Sequence, residues 1–85
     1  MTTSGLVLTL EQDGRARATV IAQLKRDSRI TLGHDFGNRL PIMTETAAPG
    51  ESEALFDWLF ALPGVRFVDV VYVDFGGDHA VHGAG

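Results

Sequence analysis

The side chains able to do chemistry are sparse in this chain of 85 residues, and their spacing excludes more than it allows. There is no cysteine, which removes disulfides, thiolate metal sites and thiol nucleophiles together. The histidines are His34, His79 and His82. His79-x-x-His82 has a metal-ligand spacing, but it lies in a Gly- and Ala-rich stretch with no fixed further ligand, so no metal or other cofactor is expected. His34 falls in a strand-like segment and reads as a half-buried histidine rather than a base. No serine, histidine and acid are arranged as in a catalytic triad, and neither G-x-x-x-x-G-K nor G-x-G-x-x-G occurs to cradle a phosphate. The pattern points away from an enzyme. What remains is Asp69, a carboxylate set in an apolar row. It can receive an arginine or lysine from a bound peptide, or it can be a solvated charge that blunts sheet association. Glu45, Asp35 and Asp74 admit the same pair of readings.

The row that holds Asp69 is the last strand-like segment, Val65 to Phe75. A strand buried on one face alternates apolar and polar residues, whereas this one carries apolar side chains on both. By simple alternation Val68, Val70 and Tyr72 point one way, and Phe67, Val71, Val73 and Phe75 the other. In so short a chain, helices can cover one side of a sheet. The second apolar face must then meet something else.

The elements that position this row follow from hydrophobic periodicity. Leu6, Leu8 and Leu10 alternate with Val7 and Thr9 in a first strand, about 4–11. Asp13 suits an N-cap for a helix over about 14–26, with Ala16, Val20, Ile21 and Leu24 on one face and Lys25 and Arg26 at the C-terminal dipole. A second strand is expected over about 28–36, with Ile30, Leu32, His34 and Phe36 on one side. Gly37-Asn38 is a two-residue hairpin signal leading to a third strand over about 39–46. Pro41 cannot donate to a ladder, so a bulge or a locally broken pair is expected there. The loop Ala47-Ala48-Pro49-Gly50 precedes a helix over about 51–61 that opens with Glu51 and Glu53. Leu55, Trp58, Leu59 and Leu62 form its core stripe, widened by Phe56 and Phe60, so that Trp58 and the phenylalanines read as core. Pro63-Gly64 ends this helix and starts the fourth strand, about 65–75. Residues 76–85 show no periodicity and are expected to be a flexible tail.

The order is βαββαβ in a single domain over residues 1–75. Right-handed crossovers then give an α+β, ferredoxin-like sandwich, a four-stranded antiparallel sheet with both helices on one face. The first strand should lie centrally, beside the third and fourth. The open face should collect Val7 and Thr9 from strand one, Pro41 and Met43 from strand three, and Asp69, Val71, Val73 and Phe75 from strand four, extended by Thr31 and Gly33. These residues make a candidate interaction surface, because contiguous exposed apolar area marks binding sites. Homodimerisation through the same face is the competing reading.

Composition limits the partner. A net charge of −4 disfavours nucleic acid, which needs a basic patch, and is compatible with a basic peptide. No apolar run approaches the length of a membrane span, and Met1-Thr2-Thr3-Ser4 has no basic n-region, so a cytoplasmic location is expected.

Several segments carry a resemblance. Ser4-Gly5-Leu6-Val7-Leu8, Gly37-Asn38-Arg39-Leu40, Glu51-Ser52-Glu53-Ala54-Leu55, and Leu62-Pro63-Gly64-Val65 followed by Val68-Asp69-Val70-Val71-Tyr72 together resemble the NapD family over roughly residues 4–75. That family comprises small cytoplasmic chaperones for maturation of the periplasmic nitrate reductase catalytic subunit. The resemblance implies a non-enzymatic chaperone that binds the twin-arginine signal peptide of the precursor and delays export until the cofactor is inserted. Differences from the family at Asp27-Ser28-Arg29 and at Pro41, Met43 and Thr44 leave another molybdoenzyme precursor open as the client. The expected peptide-binding residues are Val7, Thr9, Met43, Asp69, Val71, Val73 and Phe75. The alternative is a dimeric ferredoxin-like regulatory module that binds a small metabolite.

Overall fold

A computed structural model describes residues 1–48 and 50–75. The elements are β1 (Thr2–Leu10), α1 (Gly14–Lys25), β2 (Ile30–Leu32), β3 (Arg39–Thr46), α2 (Glu51–Ala61) and β4 (Val65–Asp74). The strands form one antiparallel sheet in the order β2-β3-β1-β4, so the arrangement is ferredoxin-like, with β1 central between β3 and β4. The expectations for Pro49, for His79 and His82, and for a 76–85 tail lie outside the described residues.

The core lies between the sheet and the helices. Leu6, Leu8 and Leu10 of β1 stack on Leu40 and Ile42 of β3 and Val68 of β4, and Val20, Leu24, Leu55, Leu59 and Leu62 close over them. Toward the start of β1 the same sheet face turns polar, with Ser4, Thr44 and Thr46 buried. Thr46 Oγ1 lies 2.7 Å from Ser52 Oγ, which seats the first turn of α2 on the end of β3.

Local chemistry sets the helix ends. Asp13 caps α1 by accepting a 3.0 Å hydrogen bond from the Ala16 N–H, satisfying a donor that the helix itself leaves unpaired. α2 has no side-chain cap, since Gly50 occupies that position with φ +81°. The Glu51 carboxylate instead holds the approaching loop, accepting from the Ala47 and Ala48 N–H groups at 2.9 and 3.0 Å. Its other oxygen accepts from Arg29 at 2.9 Å, and Arg29 also grips Asp27 in a two-pronged pair at 2.9 and 2.7 Å. This chain of charges ties the α1–β2 connection to the start of α2.

Two sequence expectations change. Trp58 is 38% exposed and Phe60 55% exposed, so neither is a core residue. At 3.6 residues per turn Phe60 stands roughly 140° round α2 from Leu55, and Trp58 roughly 60° to the other side, outside the arc that meets the sheet. Leu55, Leu59 and Leu62 are buried as expected, and Phe56 packs against the core from its margin.

β2 is also shorter than 28–36. It ends at Leu32, and His34 and Phe36 are exposed in the connection that follows. Pro41 supplies the reason. The Gly33 N–H donates to the Pro41 carbonyl at 2.8 Å, so the amide side of Pro41 also faces β2, where it has no hydrogen to return. The ladder toward β2 therefore stops there. On the other side of β3 the register with β1 runs unbroken from Thr2↔Thr46 to Thr9↔Arg39, because that ladder asks nothing of the Pro41 nitrogen. The chain re-pairs at Phe36 and Arg39, which exchange hydrogen bonds of 3.0 and 3.1 Å around a turn with φ +64° at Gly37.

Candidate functional site

Among the described residues, none covers the sheet face away from the helices. Register defines its rows, since cross-strand partners share a face. Thr9 of β1 lies between Arg39 and Phe67, and Val7 lies between Pro41 and Asp69. Gly5 lies between Met43 and Tyr72, with Thr31 of β2 beyond Met43. Thr3 lies between Glu45 and Asp74. A shallow depression of about 370 Å³ crosses the middle of this face, from Thr31 and Gly33 over Pro41 and Met43 to Val71 and Tyr72.

Of the expected site residues, Val7, Thr9, Met43, Asp69 and Val71 lie together on this open face. Val73 and Phe75 do not. The β1–β4 register shifts between Gly5 and Leu6, whose partners are Tyr72 and Val70, so Val71 is an extra residue with no partner of its own. Such a bulge inverts the alternation beyond it. Val73 pairs with buried Ser4 on the helix side, and Val73 and Phe75 line a separate groove of about 610 Å³ beside Phe56 and the start of α2. By the same inversion Tyr72, assigned by alternation to the helix side, joins Val71 on the open face. A second register shift, between Thr9 and Leu10, leaves Arg66 unpaired near the start of β4.

Tyr72 is thus a member of the candidate site that simple alternation misses. The signal that finds it is Gly5. A Cβ on Gly5 would meet the Tyr72 ring, so the glycine lets the ring lie down on the strand. Residue 5 has the parity of Val7 and Thr9, which fixes the ring to the open side.

The face is apolar at its middle and charged at its ends. Met43 is 39% exposed, Tyr72 48% and Val71 62%, a wide hydrophobic surface that no described residue covers. Phe67 extends it beside Thr9. Asp69 is exposed within it, next to Val7. Among the described residues no group of three His, Asp or Glu side chains is placed to hold a metal ion. No helix among the described residues is long and apolar enough to cross a membrane.

The strongest charge perturbations lie elsewhere. Hydrogen bonds from the Arg29 side chain hold the Asp27 carboxyl below the usual carboxylate range. Glu51 is lowered first by the Ala48 N–H, then by Arg29 and the Ala47 N–H. Arg29 is raised by Asp27 and by Glu51, so it stays charged throughout. This cluster joins the α1–β2 connection to the start of α2, and its role is to fasten the fold.

Compared with known proteins, the chain has no significant match to a family model, to a curated protein or to a solved structure.

Proposed function

We propose that the open sheet face binds the twin-arginine signal peptide of a periplasmic nitrate reductase catalytic-subunit precursor, or of another molybdoenzyme precursor. The protein acts as a cytoplasmic chaperone that delays export until the cofactor is inserted. The observation that carries this reading is the apolar band formed by Val7, Pro41, Met43, Val71 and Tyr72, which no described residue covers, with carboxylates at Glu45 and Asp69 beside it. A signal peptide of this class combines an apolar segment with a pair of arginines, and the face offers complements to both. The resemblance of the β1, α2 and β4 sequences to the NapD family supports the same reading. The mechanism is occlusion. The apolar side of the signal segment lies on the sheet, which keeps the segment from the export machinery, and no bond is made or broken.

Magnitudes say which part of the peptide dominates. Covering about 600 Å² of apolar surface at roughly 25 cal/mol/Å² gives about 15 kcal/mol gross, much of which ordering of the peptide and association consume. Exposed ion pairs add only about 0–1 kcal/mol each and are screened by salt. Calorimetry with a synthetic twin-arginine peptide tests this. Raised salt should weaken binding a few-fold, and replacing the peptide's leucines with serine should abolish it. Binding that salt alone eliminates would contradict the reading.

A further inference from the structure

β4 ends the sheet opposite β2, and among the described residues no strand pairs with its outer edge. Of its ten residues only Val68 is buried. On the open side it exposes Phe67, Val71 and Tyr72. On the helix side Val70 pairs with buried Leu6, yet it is 44% exposed, so the helices do not cover it. Val73 is exposed further along that side. Phe60 follows Phe56 by one turn on the flank of α2 that looks toward Val73. A peptide lying on the open face reaches none of these three. β4 also carries neither the lysine nor the proline that commonly blunts an edge.

Backbone hydrogen bonds show which residues serve that edge. The Leu10 N–H turns toward the β3 side and donates to the Asn38 carbonyl, whereas the Glu11 N–H turns the other way and donates to the Gly64 carbonyl. Backbone groups alternate sides along a strand, so odd-numbered β1 residues pair into β4. Phe67, Asp69 and Tyr72, opposite Thr9, Val7 and Gly5, therefore use their groups on β1. Val68, Val70 and Val73 direct theirs outward.

We infer that two copies of this chain join along β4, antiparallel about a two-fold axis at Val70, into one eight-stranded sheet. An axis at Asp69 would set two carboxylates directly opposite each other. An axis at Val68 would leave Val73 beyond the start of the second β4. At Val70, that residue meets its own copy and Val68 meets Val73, which makes an all-valine row on the helix side. Between these pairs Val71 and Tyr72 face the single Asp69 of the second copy. The extra residue that shifts the β1 register thus fits the joint as a two-against-one bulge. A second copy, unlike a lone strand, also brings its own α2 and Phe60 to the exposed valines. The joint is small beside standard interfaces of about 1,200–2,000 Å², so dimerisation depends on concentration. It uses the edge rather than the open face and is independent of the signal-peptide reading.

Sedimentation and single-cysteine crosslinking of the full chain test the joint, and no native cysteine interferes. The unaltered protein should pass from monomer to dimer as concentration rises, and Val70→Lys should stay monomeric. Under mild oxidation Val70→Cys should link two copies, because a hydrogen-bonded antiparallel pair holds its Cα atoms about 5.5 Å apart, within disulfide reach. Val73→Cys should not, since its two copies stand roughly 13 Å apart at about 3.3 Å per residue. A monomer up to about 1 mM, a dimer that Val70→Lys leaves intact, or equal crosslinking of the two cysteine variants overturns the joint. Each of those results leaves peptide binding standing.

Discussion

The ring of Tyr72 lies over Gly5, with Cδ2 and Cζ 2.7 and 2.9 Å from the position a Cβ there would take. This contact joins the central strand to the edge strand at the site of the β4 bulge. It places an aromatic side chain in the middle of the open face, where a larger residue at position 5 would push it away.

Gly5→Ala should separate the face from the fold. The new methyl displaces the Tyr72 ring, and that ring is half-exposed and free to swing outward. Alanine costs less conformational entropy than glycine in a strand by about 0.5–1 kcal/mol, which offsets part of the clash. Stability should thus change by no more than about 1 kcal/mol, while affinity for a twin-arginine peptide falls. Urea unfolding and calorimetry on the same variant check both halves.

Gly64→Ala should behave in the opposite way. Gly64 has φ +97°, and a Cβ there would stand 2.5 Å from Val20 Cγ2 and 3.2 Å from the Ala16 carbonyl oxygen. The backbone of α1 cannot move aside as the Tyr72 ring can. A loss of about 1–3 kcal/mol is expected from the backbone conformation, with the clash adding to it. A melting temperature equal to that of the unaltered protein would contradict this packing.

The contrast between these glycines shows what the sequence made legible. Leucine alternation in β1 and the spacing of Val20, Leu24, Leu55 and Leu59 were sufficient for the element order, the sheet and the core, because each follows from a regular period. The faces of β4 beyond Val70 were not legible. Alternation counts residues, and the bulge at Val71 inserts one, so Tyr72, Val73 and Phe75 each exchanged sides. The early end of β2 was half legible. Pro41 announced a broken pair, but which neighbour would lose it depended on the direction of its carbonyl, which only the paired sheet reveals.

The inverted faces predict an asymmetry between neighbours. Tyr72→Ala should weaken peptide binding about tenfold, as removal of a central aromatic contact does, whereas Val73→Ala on the helix side should leave it unchanged. Val71→Asp should abolish binding with the fold intact, since Val71 is 62% exposed. Leu8→Ala should instead cost about 2–5 kcal/mol through the cavity it leaves. Equal unfolding of the Val71 and Leu8 variants would contradict the assignment of faces.

Acid should loosen the link between the α1–β2 connection and α2. Asp27 and Glu51 both have lowered pKa values in the fold, so the folded state binds their protons less readily than the unfolded chain does. Their contribution is fully present above the unfolded carboxylate values, about 3.9–4.3, and is lost as pH falls through the lower folded values. Arg29→Gln removes the largest cause for Asp27 and one of those for Glu51, which keeps its Ala47 and Ala48 hydrogen bonds. Urea midpoints followed from about pH 7 to pH 3 should therefore decline less steeply in the variant, without becoming flat.

Methyl-detected NMR of the full chain with a twin-arginine signal peptide tests the central claim most directly, because methyl groups report which side of the sheet is touched. Titration should shift the methyl signals of Val7, Met43 and Val71 on the open face, while those of Val73, beside the helix-side groove, and of buried Leu59 stay in place. Shifts confined to Val73 and its groove, or no shift at any methyl at saturating peptide, would contradict the account.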